Sequence, residues 1–521
     1  MSFKLTYSTM FNPPPEMHER FEAALAKVKA RLGATHAFYV NGDDASGSKH
    51  DARKSPIDQR MTLGNFPVAS GEEARRALDA AHAAFPAWRA TKPDERVRLM
   101  RRAAALIEER VYDIAAALSL EVGKNRMEAL GDAQETADFF SLYADDFLKH
   151  DAFDHQLPDD PSTEFRAHNR SSAKPYGAWL VIAPYNFPFA LAGGPVAAAL
   201  VTGNTVVLKG ATDTPWAGRL LADVLRDAGF PPGVFNYVSG GGSVAGEALI
   251  AHPNLAGVTF TGSYDVGMHI YRTLANGRYP RPCITEMGGK NACIVTQNAD
   301  LERAASGIVR SAFGLSGQKC SATSRLYVDA SVADALAERL LEKIAAIKVG
   351  DPTAKENWMG PVTTAGAYAN YQRYSDRLHG NGTVLTGAQV LRDGAMAHGF
   401  YVAPTLAEAL ADHPLFGEEM FSPILMLCRV KDREEAMRLT NASSLGLTAG
   451  CFGSDDDVDF FFDNVEAGVT YANRAQGATT GAWPGYQPFG GWKGSSSSGK
   501  GIASFYYLAQ YLREQSQTRV E

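Results

Sequence analysis

The middle of the chain alternates short, largely apolar runs with helical stretches, and this pattern constrains the fold most. The runs are Ala178-Trp179-Leu180-Val181-Ile182-Ala183, Thr205-Val206-Val207-Leu208, Phe235-Asn236-Tyr237-Val238 and Gly257-Val258-Thr259-Phe260. Runs this short, rich in β-branched and aromatic residues, read as strands covered on both faces. Alternating with helices, they imply a parallel α/β sheet of the dinucleotide-binding type. A second α/β unit is expected over about 287–470, where residues 299–349 repeat the habit.

The flanks read as packing elements. A helix is expected over about 16–31, after Pro13 to Pro15. Phe38-Tyr39-Val40 followed by Asn41-Gly42 reads as a strand entering a tight turn, because both turn residues tolerate positive φ. Residues 43–60 are polar and read as a loop. Ser70 with Glu73 is a capping box opening a helix with Ala74, Leu78, Ala81, Phe85 and Trp88 on one face. Further helical stretches run from Pro93 to about Glu121 and from about Arg126 to His150, again for packing. Ser331-Val332-Ala333-Asp334 reads as another helix cap.

A length of 521 residues allows two to four domains. The 51 Lys and Arg against 58 Asp and Glu leave a net charge of −7, which gives no footprint for nucleic acid or an anionic membrane. Five cysteines, odd in number and without a C-x-x-C, fit a reduced enzyme and not a disulfide or zinc framework. No basic segment followed by an apolar one opens the chain, and no run reaches the ~18 apolar residues of a membrane span. A cytoplasmic, soluble protein is expected. The twelve histidines form no metal-ligand pair, so no metal is expected.

Several segments can carry chemistry. Gly240-Gly241-Gly242-Ser243-Val244-Ala245 fits G-x-G-x-x-A between a strand and a helix, though such a turn is equally often plain geometry. Thr261-Gly262-Ser263, with Gly267 in the helix that follows, offers backbone N–H groups to a pyrophosphate. Cys320, beside Lys319, is a candidate nucleophile or a small buried hydrophobe. Glu286 closes an apolar strand where a partly buried carboxyl serves as a general base, or is simply a solvated acid. Asn186 offers an amide to an oxyanion, or is a turn residue.

In this order the segments resemble the aldehyde dehydrogenase superfamily, from about residue 36 to 515. The likeness is carried by Pro184-Tyr185-Asn186-Phe187-Pro188, Gly203-Asn204-Thr205-Val206-Val207-Leu208-Lys209, Phe260-Thr261-Gly262-Ser263, Glu286-Met287-Gly288-Gly289-Lys290, Gly317-Gln318-Lys319-Cys320 and Glu418-Glu419-Met420-Phe421. The resemblance implies an α/β fold with a dinucleotide-binding domain (61–150 and 176–286), a catalytic domain (287–474) and a small oligomerisation element (151–175 and 492–521). Residues 1–60 would be an N-terminal extension, and 475–491 a substrate loop returning to the cofactor domain. The oligomerisation hairpin and tail would pair with a partner subunit, making a homodimer or higher homo-oligomer.

The same resemblance implies covalent catalysis. Cys320 would attack an aldehyde, Asn186 would hold the oxyanion, and Glu286 would activate the water that releases the acid. NAD or NADP would contact Ile182, Ala183, Pro184 and Tyr185 after one strand and Lys209 after the next. Gly262, Ser263 and Gly267 would face its pyrophosphate, while Gly242 would contact it from a turn that is mainly structural; Met287 and Gly288 would also line the site, with Glu419 and Phe421 at the nicotinamide ribose and ring. Thr212 stands where NAD-preferring relatives often carry Glu, so the preference stays open. Ser422 replaces a usual Gly.

Within the superfamily the likeness is greatest to the branch oxidising glutamate γ-semialdehyde, on His36-Ala37-Phe38-Tyr39-Val40-Asn41-Gly42, Ser311-Ala312-Phe313-Gly314 and Gly485-Tyr486-Gln487-Pro488-Phe489-Gly490-Gly491. It implies substrate contacts at Ser321, Gly481 and Ala482, with Phe187 and Phe489 flanking the aliphatic chain. The 473–479 stretch is lengthened and Trp483-Pro484 is unusual for that branch. Another ω-semialdehyde or a broader aldehyde, release to coenzyme A (which the presence of Glu286 opposes) and a non-catalytic relative are the alternatives.

Overall fold

The four apolar runs form neighbouring strands of one seven-stranded sheet in the computed structural model, which describes residues 3–476 and 483–521. In spatial order its strands are Cys283–Glu286, Leu255–Thr261, Ala178–Ile182, Thr205–Lys209, Phe235–Val238, Phe38–Val40 and Asp43–Ala45. The first five run parallel, and the last two form an antiparallel hairpin on the edge. Asn41 and Gly42 turn that hairpin at φ 56° and 92°, the positive values that match the twist of the strands.

Both faces of this sheet are covered, so its central strands need no polar alternation. Trp179 is fully buried, and its indole N–H donates to Thr259 Oγ1 at 3.0 Å on the neighbouring strand. Gly257 lies under that ring, where a Cβ would collide with it. Helices Gly71–Ala90, Pro93–Glu109, Val111–Val122 and Arg126–Lys149 pack around the same core. Leu5, Tyr7 and Met10, from the start of the chain, are buried in it too.

A second seven-stranded sheet has the order Thr383–Thr386, Thr405–Glu408, Ile424–Val430, Thr323–Asp329, Asn291–Val295, Thr448–Phe452 and Val469–Ala472. It is parallel except for its first pair. A third sheet pairs Ala167–Pro175 with Asp154–Gln156 on one side and with Leu512–Val520 on the other.

Three local expectations change. Residues 43–60 hold strands Asp43–Ala45 and His50–Lys54; the second alternates exposed and half-buried positions and so lacks an apolar run. The helical stretch from Pro93 is two helices, broken at Arg110 (φ −101°, ψ 8°). Ser331 does not cap the helix Ala333–Ala345, because its hydroxyl turns back to Asp329 and Val332 takes the cap position. The capping box at Ser70 forms as expected.

Candidate active site

A cleft of about 490 Å³ opens at the carboxyl ends of the parallel strands. Chain order reverses about the strand Ala178–Ile182: the next two strands lie on one side and the later two on the other. Open α/β sheets bind ligands at such a switch point. Strand 178–182 delivers Ile182, Ala183, Pro184, Tyr185 and Asn186 to the cleft, and strand 205–209 delivers Lys209. Gly262 and Ser263 follow the strand Leu255–Thr261, while Glu286, Met287 and Gly288 follow Cys283–Glu286. From the second sheet come Cys320, Glu419 and Phe421. Gly267 packs beneath, where a Cβ would strike the Met287 sulfur. Gly242 is not among the lining residues; it opens a π-helical turn over Gly242–Gly246.

The polar groups here are unusually short of protein partners. Lys209 is buried; among the described residues its ammonium donates only to the Gly210 carbonyl (3.1 Å), and burial lowers its pKa to about 8. Ser263 precedes the helix Tyr264–Ala275 without its side chain capping it. Glu419 Oε1 accepts from the Gly289 N–H at 3.0 Å, and burial raises the carboxyl to about 7. Gly288 has no room for a Cβ against that carboxylate. Tyr185 and Phe421 meet edge to face at 5.9 Å.

Cys320 is presented by a strained loop. Leu315, Ser316 and Gly317 all have positive φ (49°, 53° and 68°), and Gly317 passes too close to the Ser422 carbonyl for a side chain. Two amides pin the loop: Asn186 Nδ2 donates to Gln318 O at 2.8 Å, and Asn291 Nδ2 to Cys320 O at 2.7 Å. Burial, with Glu286 and Glu419 nearby, pushes the thiol well above its usual range. Glu286 is raised well above the ordinary carboxylate range by burial, against a hydrogen bond from the Gly491 backbone. Among the described residues its Oε1 is buried without a partner.

Beyond Cys320 lies a second, small cavity of about 60 Å³, lined by Phe187, Phe489, Ser321 and Lys319 as well as by the thiol. Tyr7, Glu135, Leu191 and Ile502 complete it; Tyr7 and Glu135 lie in segments that the sequence marks only as packing or extension. Glu135 is one of three carboxylates on one face of the helix Arg126–Lys149. Glu128 Oε1 accepts from the Leu315 N–H (2.8 Å) and lies 3.4 Å from Lys319 Nζ. Asp132 pairs with Lys124 at 2.8 Å, both fully buried, and accepts from the Ala190 N–H at 2.7 Å. Lys124 Nζ also sits 3.5 Å from the centre of the Phe187 ring. Gly481 and Ala482 lie outside the described residues.

The Cys320 thiol thus stands between a cleft at the carboxyl ends of the strands and a small, largely aliphatic pocket. The chain belongs to the aldehyde dehydrogenase family, whose pattern matches residues 44–516. The α/β fold and the resemblance read from the six motifs are borne out. Among its relatives is the 1-pyrroline-5-carboxylate dehydrogenase of Bacillus mycoides (strain KBAB4), 37% identical over 501 residues, 95% of this chain and 94% of that one. That of Geobacillus sp. (strain WCH70) is also 37% identical, over 94% of each chain. The solved 1-pyrroline-5-carboxylate dehydrogenase from Thermus with bound NAD superposes with a TM-score of 0.93 at 32% identity, covering 100% of this chain and 99% of that one.

Proposed function

We propose that this aldehyde dehydrogenase oxidises L-glutamate γ-semialdehyde, the open form of 1-pyrroline-5-carboxylate, to L-glutamate in proline catabolism. The small cavity across Cys320 from the cofactor cleft carries the reading. Two phenyl rings match a short methylene chain, and Ser321 and Glu135 supply polar groups for an amino-acid end. Glu135 gives the substrate's ammonium a carboxylate partner. The relatives named for this activity, similar over nearly their whole length, support the same substrate.

The cleft fits a dinucleotide. The buried Lys209 ammonium leaves donors for ribose hydroxyls, and the uncapped helix start at Ser263 suits a pyrophosphate. Gly288 lets the Glu419 carboxylate pack directly against the backbone at the cleft, where Glu419 would hold the nicotinamide ribose and Phe421 its ring. When bound, the oxidised cofactor, NAD or NADP, supplies the hydride acceptor. The protein's own part is nucleophilic. Cys320 Sγ adds to the aldehyde carbon, and the free N–H of the Asn186 amide donates to the developing oxyanion. Oxidation leaves the acyl group on sulfur as a thioester. Glu286, a carboxyl that burial makes more basic than an exposed one, takes a proton from the attacking water, and the thiol departs as glutamate forms. That base favours hydrolysis over release to coenzyme A.

We assign the first sheet with 61–150 and 176–286 to cofactor binding and 287–474 to the catalytic domain. Assembly into a homodimer or larger homo-oligomer would use the third sheet, whose nine-residue strand Leu512–Val520 leaves an outer edge open. No helix among the described residues is long and apolar enough to cross a membrane. The five cysteines are unpaired, which fits a reducing, cytoplasmic setting.

The test is kcat/KM for glutamate γ-semialdehyde against succinic semialdehyde, propanal and benzaldehyde, each with NAD and NADP, with Cys320→Ala as blank. A preference of about 100-fold, or about 2.7 kcal/mol, is expected. Preference for another aldehyde would refute the substrate.

A further inference from the structure

The start of the chain, outside the matched family region, reaches the substrate cavity. Leu5, Tyr7 and Met10 are buried, and the turn is tied by the N–H groups of Thr9 and Met10 donating to the Thr6 carbonyl. Tyr7 lines the cavity itself. Its ring meets Trp483 at 5.0 Å and Phe187 at 6.2 Å, both edge to face, and its hydroxyl donates to Glu135 Oε2 at 2.6 Å. Trp483 is itself held by its indole N–H donating to Asp138 Oδ2 at 2.7 Å. The ring therefore cannot turn away without losing two aromatic contacts and a hydrogen bond.

Glu135 lies in hostile surroundings for a carboxylate. Burial, with Asp132 and Asp138 nearby, pushes it up to about 8, and the Tyr7 hydroxyl and Lys124 oppose that rise. Without a donor at Tyr7, the carboxyl would be free to rotate and more readily neutral. A neutral or turned carboxyl loses most of its attraction for an ammonium group.

We propose that Tyr7 is a specificity-determining residue of the substrate pocket: its hydroxyl, donating to Glu135 Oε2, fixes the orientation of that carboxyl towards the amino group of the substrate. The proposal rests on the reading of the cavity as the semialdehyde site. It makes the N-terminal segment a wall of the active site, with Trp483 as the brace that keeps Tyr7 in place.

The test compares two aldehydes of equal length, L-glutamate γ-semialdehyde and 5-oxopentanoate, which lacks only the amino group. The ratio of their kcat/KM values is measured for the unsubstituted enzyme, Tyr7→Phe, Glu135→Gln and the double variant. The ratio cancels any general loss from imperfect folding, since both substrates share one enzyme preparation. Tyr7→Phe should lower it about ten-fold through the KM of the amino-bearing substrate, and the double variant should fall no further than Glu135→Gln alone. A ratio that is unchanged or higher in Tyr7→Phe would overturn the role of Tyr7. Failure of the unsubstituted enzyme to turn over glutamate γ-semialdehyde would refute the substrate reading and this assignment with it.

Discussion

Replacing Glu286 by Gln separates the two halves of the reaction and reads the environment of the carboxyl as well. The side chain keeps its shape, so the thiol and the pocket are undisturbed, but the base is gone. A positioned base contributes about 10²–10⁴-fold. At about 1.4 kcal/mol per factor of ten, hydrolysis should slow by about 2.7–5.4 kcal/mol of barrier. Mixed rapidly with cofactor and substrate, the variant should release a burst of about one equivalent of reduced cofactor per active site and then nearly stop, the acyl group held on Cys320. Loss of the burst itself, with Cys320 still reactive, would refute the assignment of Glu286 to the hydrolytic step. Stability gives an independent reading. Because the folded protein raises this carboxyl above its ordinary value of 4.5, folding favours the neutral form. The contribution is fully present below that value and is lost as pH rises through the window up to the folded pKa, at up to about 1.4 kcal/mol per pH unit. Glu286→Gln should therefore unfold at higher denaturant than the unsubstituted enzyme at pH 8 and at a similar concentration near pH 4.5. The reverse order at pH 8 would contradict the burial argument.

Asp132→Asn should destabilise by about 3–5 kcal/mol in urea unfolding, because it strands the buried Lys124 ammonium beside Phe187. Thr212→Glu should raise the ratio of kcat/KM with NAD to that with NADP at least about ten-fold in steady-state assays, by setting a second carboxylate beside Asp213 in the cleft that would repel a 2′-phosphate. Truncating Trp483 to Phe should raise the KM for glutamate γ-semialdehyde a few-fold, with faster limited proteolysis near the N-terminus reporting a loosened segment, since the brace to Asp138 is lost.

The sheet was legible because strands buried on both faces leave an unmistakable apolar signature, as at 178–183 and 205–208. Asn41-Gly42 and Ser70 with Glu73 were legible because each side chain or φ angle satisfies a local requirement of its own turn or cap. His50–Lys54 was not, since a polar edge strand is chosen by its partner Thr62–Pro67 and not by its own composition. Cys320, Glu286 and Asn186 could be singled out as candidates, but only as ends of separate strands and loops. Their convergence depends on how the two sheets face each other. Glu135 left a fainter signal. Glu128, Asp132 and Glu135 share a helical face with Phe139, and acids on a face that must be buried require partners. Tyr7 left none, because nothing local marks a residue whose hydrogen-bond partner lies 128 positions away.

That acidic face also explains why a packing helix belongs to the chemistry. From one rigid element, Glu128 holds the loop that presents Cys320, Asp132 holds the start of the helix that follows Asn186 and Phe187, and Glu135 faces the substrate cavity. Apolar residues could bury the same area at less electrostatic cost, but they would accept many registers. Carboxylates at i, i+4 and i+7 accept only the arrangement in which each finds its N–H or ammonium. Where a misplacement of about 1 Å can cost 100-fold in rate, that selectivity has a use. Cys320, Asn186 and the pocket are thus referenced to a single helix, so a change at Asp132 should disturb the distance between Cys320 and Asn186 as well as the stability of the fold.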